Sequence, residues 1–162
     1  MLAALIIRTT MIGIQAITHL TADVIQPLLD VSVAEGYSFV QRLWDEYQSG
    51  FNTFSDGGAL LLGVFDDGVL IAIGGVHPDP YLNNPAIGRI RHVYVLPQQR
   101  RRGIAGTLVQ ALMERTSDTF TTFTLRTLTD HGRAFYAALG FSDAPRFPDA
   151  THWREFRPQL LP

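Results

Sequence analysis

The sequence predicts an α/β (α+β) domain with a mixed central sheet of about six to seven strands flanked by about four helices. Two observations predict it. Short β-like apolar runs alternate along the chain with stretches of helical period that carry start and stop signals. The 162 residues are 46% hydrophobic and 17% charged, a globular profile, and a chain of this length buries about two-thirds of its unfolded surface in one core. No repeat, linker or shift in composition divides it. Residues 1–162 therefore read as a single domain, with 1–10 an optional extension because Met11 stands directly before the first strand-like run.

Each element has a local reason. Residues 12–18 form the first strand. A helix begins near Thr21 and buries Val24, Ile25, Leu28 and Leu29, with Pro27 bending it. Ser38 and Gln41 have capping-box spacing and open a second helix that runs to about Ser49, placing Val40, Leu43, Trp44 and Tyr47 inside. Residues 60–65 and 69–76 are strands joined around Asp66-Asp67-Gly68, a hairpin signal, and residues 87–96 form the next strand. From residue 103 to 116, Ile104, Leu108, Ala111 and Leu112 share one helical face, opposite Gln110, Glu114 and Arg115. Threonines and phenylalanines in residues 120–128 suit a half-buried strand. A last helix covers 131–139 and stops at Gly140 as a left-handed cap, after which two strands flank residues 145–150.

The most informative stretch is residues 93–106, Val-Tyr-Val-Leu-Pro-Gln-Gln-Arg-Arg-Arg-Gly-Ile-Ala-Gly. A strand ending at Pro97 leads through Arg100, Arg101 and Arg102 into small residues that open a helix. Gly103 and Gly106 allow close backbone approach, and the free N–H groups of a helix start converge on negative oxygens, so the ligand expected there is a phosphate ester. The stretch has neither the Lys-Ser/Thr of a P-loop nor the glycine spacing of dinucleotide folds.

Arg100-x-x-Gly103-x-Ala105 resembles the acetyl-CoA-binding signature of the GNAT-type N-acetyltransferase superfamily, and the preceding Val-x-Val-x-Pro is similar too. A second element, Phe135-Tyr136-x-x-x-Gly140-Phe141, looks like the helix-to-strand junction of the same enzymes. The resemblance is sharp over 93–106 and 133–141 and only topological before residue 60. It implies a sheet whose two central strands splay apart, with acetyl-CoA as co-substrate and no metal. The pantetheine arm would enter the gap beside Val93, Tyr94 and Val95, and the phosphates would meet Arg100, Arg101, Arg102, Gly103, Ile104, Ala105 and Gly106. Tyr136 would be the acid that protonates the CoA sulfur. Where the family often has Asn seven residues before that tyrosine, Thr129 stands here, and the usual Ala three residues later is Gly132. Thr129 can still make one hydrogen bond to pantetheine.

Transfer from a thioester to an amine requires a base, an oxyanion donor and an acid for the leaving thiolate. A backbone N–H near Val95 suits the oxyanion. The glutamate that many family members carry on a central strand is absent from residues 87–96 and 120–128, which leaves His92, Glu35 and Glu46 as candidate bases, with His92 favoured by its place on the strand. The acceptor pocket is expected around Glu35-Gly36-Tyr37, residues 77–84 and the region of His152 and Trp153. Arg89 and Arg91 there are suited to a carboxylate-bearing acceptor. The expected reaction moves an acetyl group to a primary amine of a small molecule, amino acid or peptide. The alternative is a catalytically weak acyl-CoA-binding regulatory module, to which the missing strand glutamate points.

Charge and composition exclude other classes. A formal net charge of −2 provides no broad basic field, which argues against a nucleic-acid partner despite the three arginines. The absence of cysteine removes disulfides, thiolate metal sites and a cysteine nucleophile. Residues 1–7 are apolar but short, with Arg8 following them where a secretory signal would place its charge first. No stretch approaches the roughly 20 apolar residues of a membrane span. A cytoplasmic protein is expected, and because dimers are common in the family a homodimer is an expected assembly.

Overall fold

A computed structural model of the protein describes residues 11–159. Six strands, β1 (Ile12–Ala16), β2 (Leu60–Asp66), β3 (Val69–Pro78), β4 (Ile87–Val95), β5 (Thr122–Leu125) and β6 (His152–Glu155), form one sheet in chain order. Every neighbouring pair is antiparallel except β4 and β5. That parallel pair needs a crossover, which α3 (Ile104–Arg115) supplies. The helices α1 (Ala22–Ala34) and α2 (Phe39–Ser49) lie between β1 and β2, and α4 (Asp130–Ala138) lies between β5 and β6.

Two adjacent glycines of β3 show what covers each face. A Cβ on Gly74 would touch Leu108 and Leu112 of α3, whereas one on Gly75 would drive into the ring of Phe54, in the loop after α2. The sheet is thus covered on both sides. Its central strands consequently read as continuous apolar runs, with every residue from Leu70 to Val76 buried. Ile25, Leu28, Val40 and Leu43 close the core from one side, and Leu108, Val109, Leu112 and Met113 from the other.

Local chemistry explains where the helices begin and end. Thr21 caps α1, its hydroxyl accepting from the Val24 N–H at 3.4 Å. Gly50 ends α2 at φ 77°, and Gly140 follows α4 at φ 84°, conformations that a Cβ would strain. The expected capping box at Ser38 does not form. Ser38 already has helical torsions (φ −107°, ψ −10°), so its hydroxyl makes no capping bond, and Gln41 turns to Asp45 at 3.0 Å instead.

Two other expectations are corrected. The strand anticipated at 120–128 is regular only over Thr122–Leu125. The Phe120 N–H is held by the Thr116 carbonyl at 2.9 Å as α3 ends, and the Thr127 N–H has turned to Thr151 Oγ1. Of the two closing strands only β6 forms, and the other shrinks to a single bridge, Ser142 with Trp153. Pro145 and Pro148 remove backbone donors between them, and Asp149 adopts φ 59°.

One irregularity matters more than the rest. The β3–β4 register passes from Ile73 opposite Tyr94 to Gly75 opposite Arg91, so two steps along β3 face three along β4. The extra residue is accommodated by His92 at φ 60°, a left-handed conformation that a non-glycine side chain resists. This β-bulge puts Arg91 and His92, neighbours in sequence, on the same face: both approach Glu46 of α2. Val93 then turns to the α3 side, where it meets the Cβ position of Gly74.

Candidate active site

The site begins where the sheet opens. β4 pairs with β5 only at Ile87 with Thr122, Gly88 with Phe123 and Arg89 with Thr124. Beyond Arg89, β4 continues to Val95 while β5 ends at Leu125, leaving that edge of β4 without a strand partner among the described residues. Unpaired backbone groups there can bond an extended ligand or a developing oxyanion.

A short 3-10 turn, Pro97–Gln99, carries the chain from β4 to α3. Arg101 (φ 64°) and Gly103 (φ 75°) are both left-handed, so the backbone turns sharply into the helix. The first intrahelical bond of that turn is Thr107 N–H to the Gly103 carbonyl at 3.0 Å, and the N–H groups of Ile104, Ala105 and Gly106 remain free to meet an anion. A Cβ on Gly103 would protrude into open space, and one on Gly106 would touch only Leu139 at 3.6 Å, so the end of α4 lies against the first turn of α3. This cradle has the donors and the clearance that a pyrophosphate requires. The described residues bring together no set of three metal-ligating side chains, and no helix among them is long and apolar enough to cross a membrane.

The three arginines do not act alike. Arg100 clamps Glu35 with both guanidinium ends, Nη1 to Oε2 at 2.9 Å and Nη2 to Oε1 at 2.8 Å, and its Nε donates to the Val95 carbonyl at 3.0 Å. The Tyr94 hydroxyl donates to the same carboxylate, and Tyr94 lies edge-on to Tyr37 and Phe39. The expectation that Arg100 serves phosphates is therefore corrected: it ties the α1–α2 connection to the end of β4. Arg102 donates to Gln99 at 2.6 Å, and the exposed Arg101 is the cation best placed for solvent anions. Held by Arg100 first, and by Tyr94, Glu35 keeps its carboxyl below the usual range. Both its oxygens are taken, which removes it from the candidate bases. Tyr37, also expected at the acceptor, belongs to this aromatic cluster.

Around α4 the sequence departures acquire structural reasons. Thr129 is the N-cap, its hydroxyl accepting from the Gly132 N–H at 3.0 Å. Gly132 cannot be alanine without driving a methyl into Thr127 Oγ1. Tyr136 is half-buried against Phe135, Phe141 and His152, with ring centroids 4.8, 5.5 and 6.4 Å away. Burial raises the pKa of its phenol, so the hydroxyl carries its proton throughout the neutral range.

On the opposite face, α2, the loop after it and β3–β4 enclose a cleft of about 480 Å³ lined by Arg42, Glu46, Asn52, His77, Tyr81 and Arg91, among others. Phe54 forms part of it, edge-on to His77 (5.7 Å) and His92 (6.3 Å). Glu46 lies 3.1 Å from Arg42, 3.9 Å from Arg91 and 4.0 Å from His92 Nε2. Burial is the leading reason that both histidines are neutral, His77 held at about 4 and His92 at about 3, with Arg91 adding to each. The structure thus brings His92, Glu46 and Arg91 together and sets Glu35 and Tyr37 apart from them. Asn52, Phe54 and Arg42 were not legible as site residues. The first two lie on an irregular loop, and the only signal for Arg42 was its i, i+4 spacing from Glu46, which ordinarily marks an exposed helix pair.

The sequence profile of the acetyltransferase (GNAT) family matches residues 25–141, and the chain belongs to that family. No curated protein matches it. Among solved structures, a candidate acetyltransferase from Exiguobacterium sp. 255-15 is similar at 26% identity and a TM-score of 0.76, covering 89% of this chain and 93% of that one. The PaiA N-acetyltransferase of Thermoplasma acidophilum, solved with coenzyme A, shares the fold at 17% identity and a TM-score of 0.60, covering 89% and 99%. Glucosamine-6-phosphate N-acetyltransferase of Arabidopsis thaliana does so at 17% and 0.59, covering 85% and 95%.

Proposed function

We propose that this protein transfers the acetyl group of acetyl-CoA to a primary amine by direct attack in a ternary complex. One observation carries the reading: an unpartnered strand edge opens beside a glycine-headed helix N-terminus, so a thioester arm and its pyrophosphate have adjoining sites. The neighbour solved with coenzyme A has the same fold. In this chain the N–H groups of Ile104, Ala105 and Gly106, with Arg101, would hold the phosphates, and the free edge of β4 near Val93 and Val95 would align the arm. Acetyl-CoA supplies an activated acyl carbon and a thiolate leaving group.

The amine nitrogen bonds to that carbon as the C–S bond breaks. The proton leaving nitrogen passes to the Glu46–His92 pair, and the phenol of Tyr136 gives its proton to sulfur and regains one from solvent. His92 alone, neutral and held at about 3, is a weak base; the carboxylate 4.0 Å away stabilises the ring once it is charged. Because acetyl-CoA is a cytoplasmic metabolite, the reading favours a cytoplasmic protein.

Thiol release from acetyl-CoA across a panel of amines, with mass spectrometry of the product, tests the transfer. Turnover on at least one amine is expected, and Tyr136→Phe should lower kcat by roughly 10- to 10³-fold while leaving acetyl-CoA affinity nearly unchanged. Binding without turnover on any amine would instead support an acyl-CoA-binding regulatory module. An unchanged kcat in the phenylalanine variant would leave thiolate protonation to solvent.

A further inference from the structure

The cleft on the α2 face has an unusual concentration of unmet polar groups. Six buried side-chain polar atoms have no hydrogen-bond partner among the described residues, and three of them belong to residues that line this cleft, Glu46 Oε2, Asn52 Nδ2 and His77 Nε2; a fourth, His92 Nε2, lies behind Glu46, 4.0 Å from its Oε2. Buried polar atoms are normally paired, and unpaired ones gathered on residues that line a cleft mark a place for a polar ligand. The His92 side chain is only 2% exposed, so its orphaned nitrogen cannot be satisfied by bulk solvent.

The charges say what kind of ligand. Arg42 and Arg91 both approach the single carboxylate of Glu46, Arg42 at 3.1 Å and Arg91 at 3.9 Å, beyond hydrogen-bonding distance. Arg42 satisfies Oε1, which leaves Oε2 as an unmet acceptor, and the guanidinium of Arg91 stands on the cleft lining as a fork of donors with no hydrogen bond to a side chain among the described residues. Asp56, also on the lining, is exposed on the outer loop. Arg89, the other strand arginine, lies outside the cleft lining: its Nη2 donates to the Asp149 carbonyl at 2.8 Å, and its Nη1, another of the six unpartnered atoms, is ion-paired with Asp79 at 3.6 Å. A donor fork and an acceptor side by side, with the β-bulge aiming Arg91 and His92 the same way, complement a molecule that is itself dipolar. The rim is aromatic, with Phe51 and Tyr81 exposed at the lining.

We infer that the acceptor is a free amino acid, its carboxylate held by Arg91 and its amine directed at the carboxylate of Glu46, two residues that line the cleft. This deepens the transfer reading and rests on it. A peptide or a simple alkylamine lacks the adjacent carboxylate and leaves Arg91 unmet.

Matched pairs test the inference: phenylalanine with 2-phenylethylamine, and leucine with 3-methylbutylamine. An amino acid's amine is slightly less basic, which favours it in parent and variant alike, so the comparison that decides is the effect of Arg91→Gln on each member. Because loss of Arg91 also alters the Glu46–His92 pair for every acceptor, the expected result is a fall in kcat/KM for the amino acids at least about tenfold larger than the fall for their decarboxylated amines. Equal losses for both members, or a parent that prefers the plain amines, would overturn it. Calorimetric titration of phenylalanine into the protein reads the site without turnover. Binding that Arg91→Gln abolishes, with no transfer to any amine, would keep the cleft assignment and sink the transferase reading; transfer to plain amines without amino-acid binding would do the reverse.

Discussion

His92 shows how much a single residue can be made to do. In an unbroken strand it would point away from Arg91; the bulge turns it to the same side, at the cost of about 1–3 kcal/mol typical of strained torsions. With His77 it leaves a measurable trace in stability. Both rings are neutral in the folded protein, held at about 4 and about 3, whereas in the unfolded chain they titrate near 6.5. Below pH 6.5 the unfolded state therefore takes up protons that the folded state refuses, and stability must decline as pH falls toward 4. The slope is up to about 1.4 kcal/mol per pH unit for each histidine. Thermal denaturation between pH 7 and 4 should show that decline, and His92→Gln should flatten it. An equal slope in parent and variant would mean that His92 is protonated in the folded protein.

At the scale of elements, the cleft depends on what β3 omits. Gly75 has no side chain because the ring of Phe54 lies against the strand there, and that ring separates His77 from His92. Gly75→Ala should overpack this contact, destabilising the protein by about 1–3 kcal/mol and raising the KM for the amine. Acetyl-CoA affinity should stay within about twofold, because Phe54 faces away from α3. A loss of acetyl-CoA binding equal to the loss of amine binding would show that the two faces are not separable; melting temperature and calorimetry measure both.

The same elements show what the sequence could reveal. Helical period located the start of α1 and both ends of α2, α3 and α4 within a residue or two, and Gly140 was legible as a left-handed cap, whereas the caps at Gly50 and Thr129 were not. Residues 93–106 were legible as a strand, a glycine turn and a helix start, because these are local features. Long-range geometry was not legible. Arg100 looked like a phosphate ligand until the fold placed Glu35, 65 residues away, against it. Likewise, no periodicity reports that a bulge at His92 will bring Arg91 and Glu46 into one cleft.

For the whole molecule, the proposed function divides two tasks between the faces of the sheet. In the proposed reaction the β4–β5 opening and the α3 N-terminus would take one substrate and the cleft under α2 the other; β4 is shared, and the Arg100–Glu35–Tyr94 cluster pins the α1–α2 connection to its end. A thioester lying along the free edge of β4 and an amine entering beside Arg91 and Glu46 would approach the same strand from different sides. The account therefore stands on whether acetyl-CoA binds where the backbone of α3 begins. Calorimetric titration of acetyl-CoA into the parent, Arg101→Ala and Gly103→Val, well below their melting temperatures, measures this directly. Valine would strain the left-handed turn and put its side chain in the open cradle, so affinity should fall at least about tenfold, more than for the arginine variant, which loses only a screened charge. A valine variant that binds acetyl-CoA as tightly as the parent would contradict it.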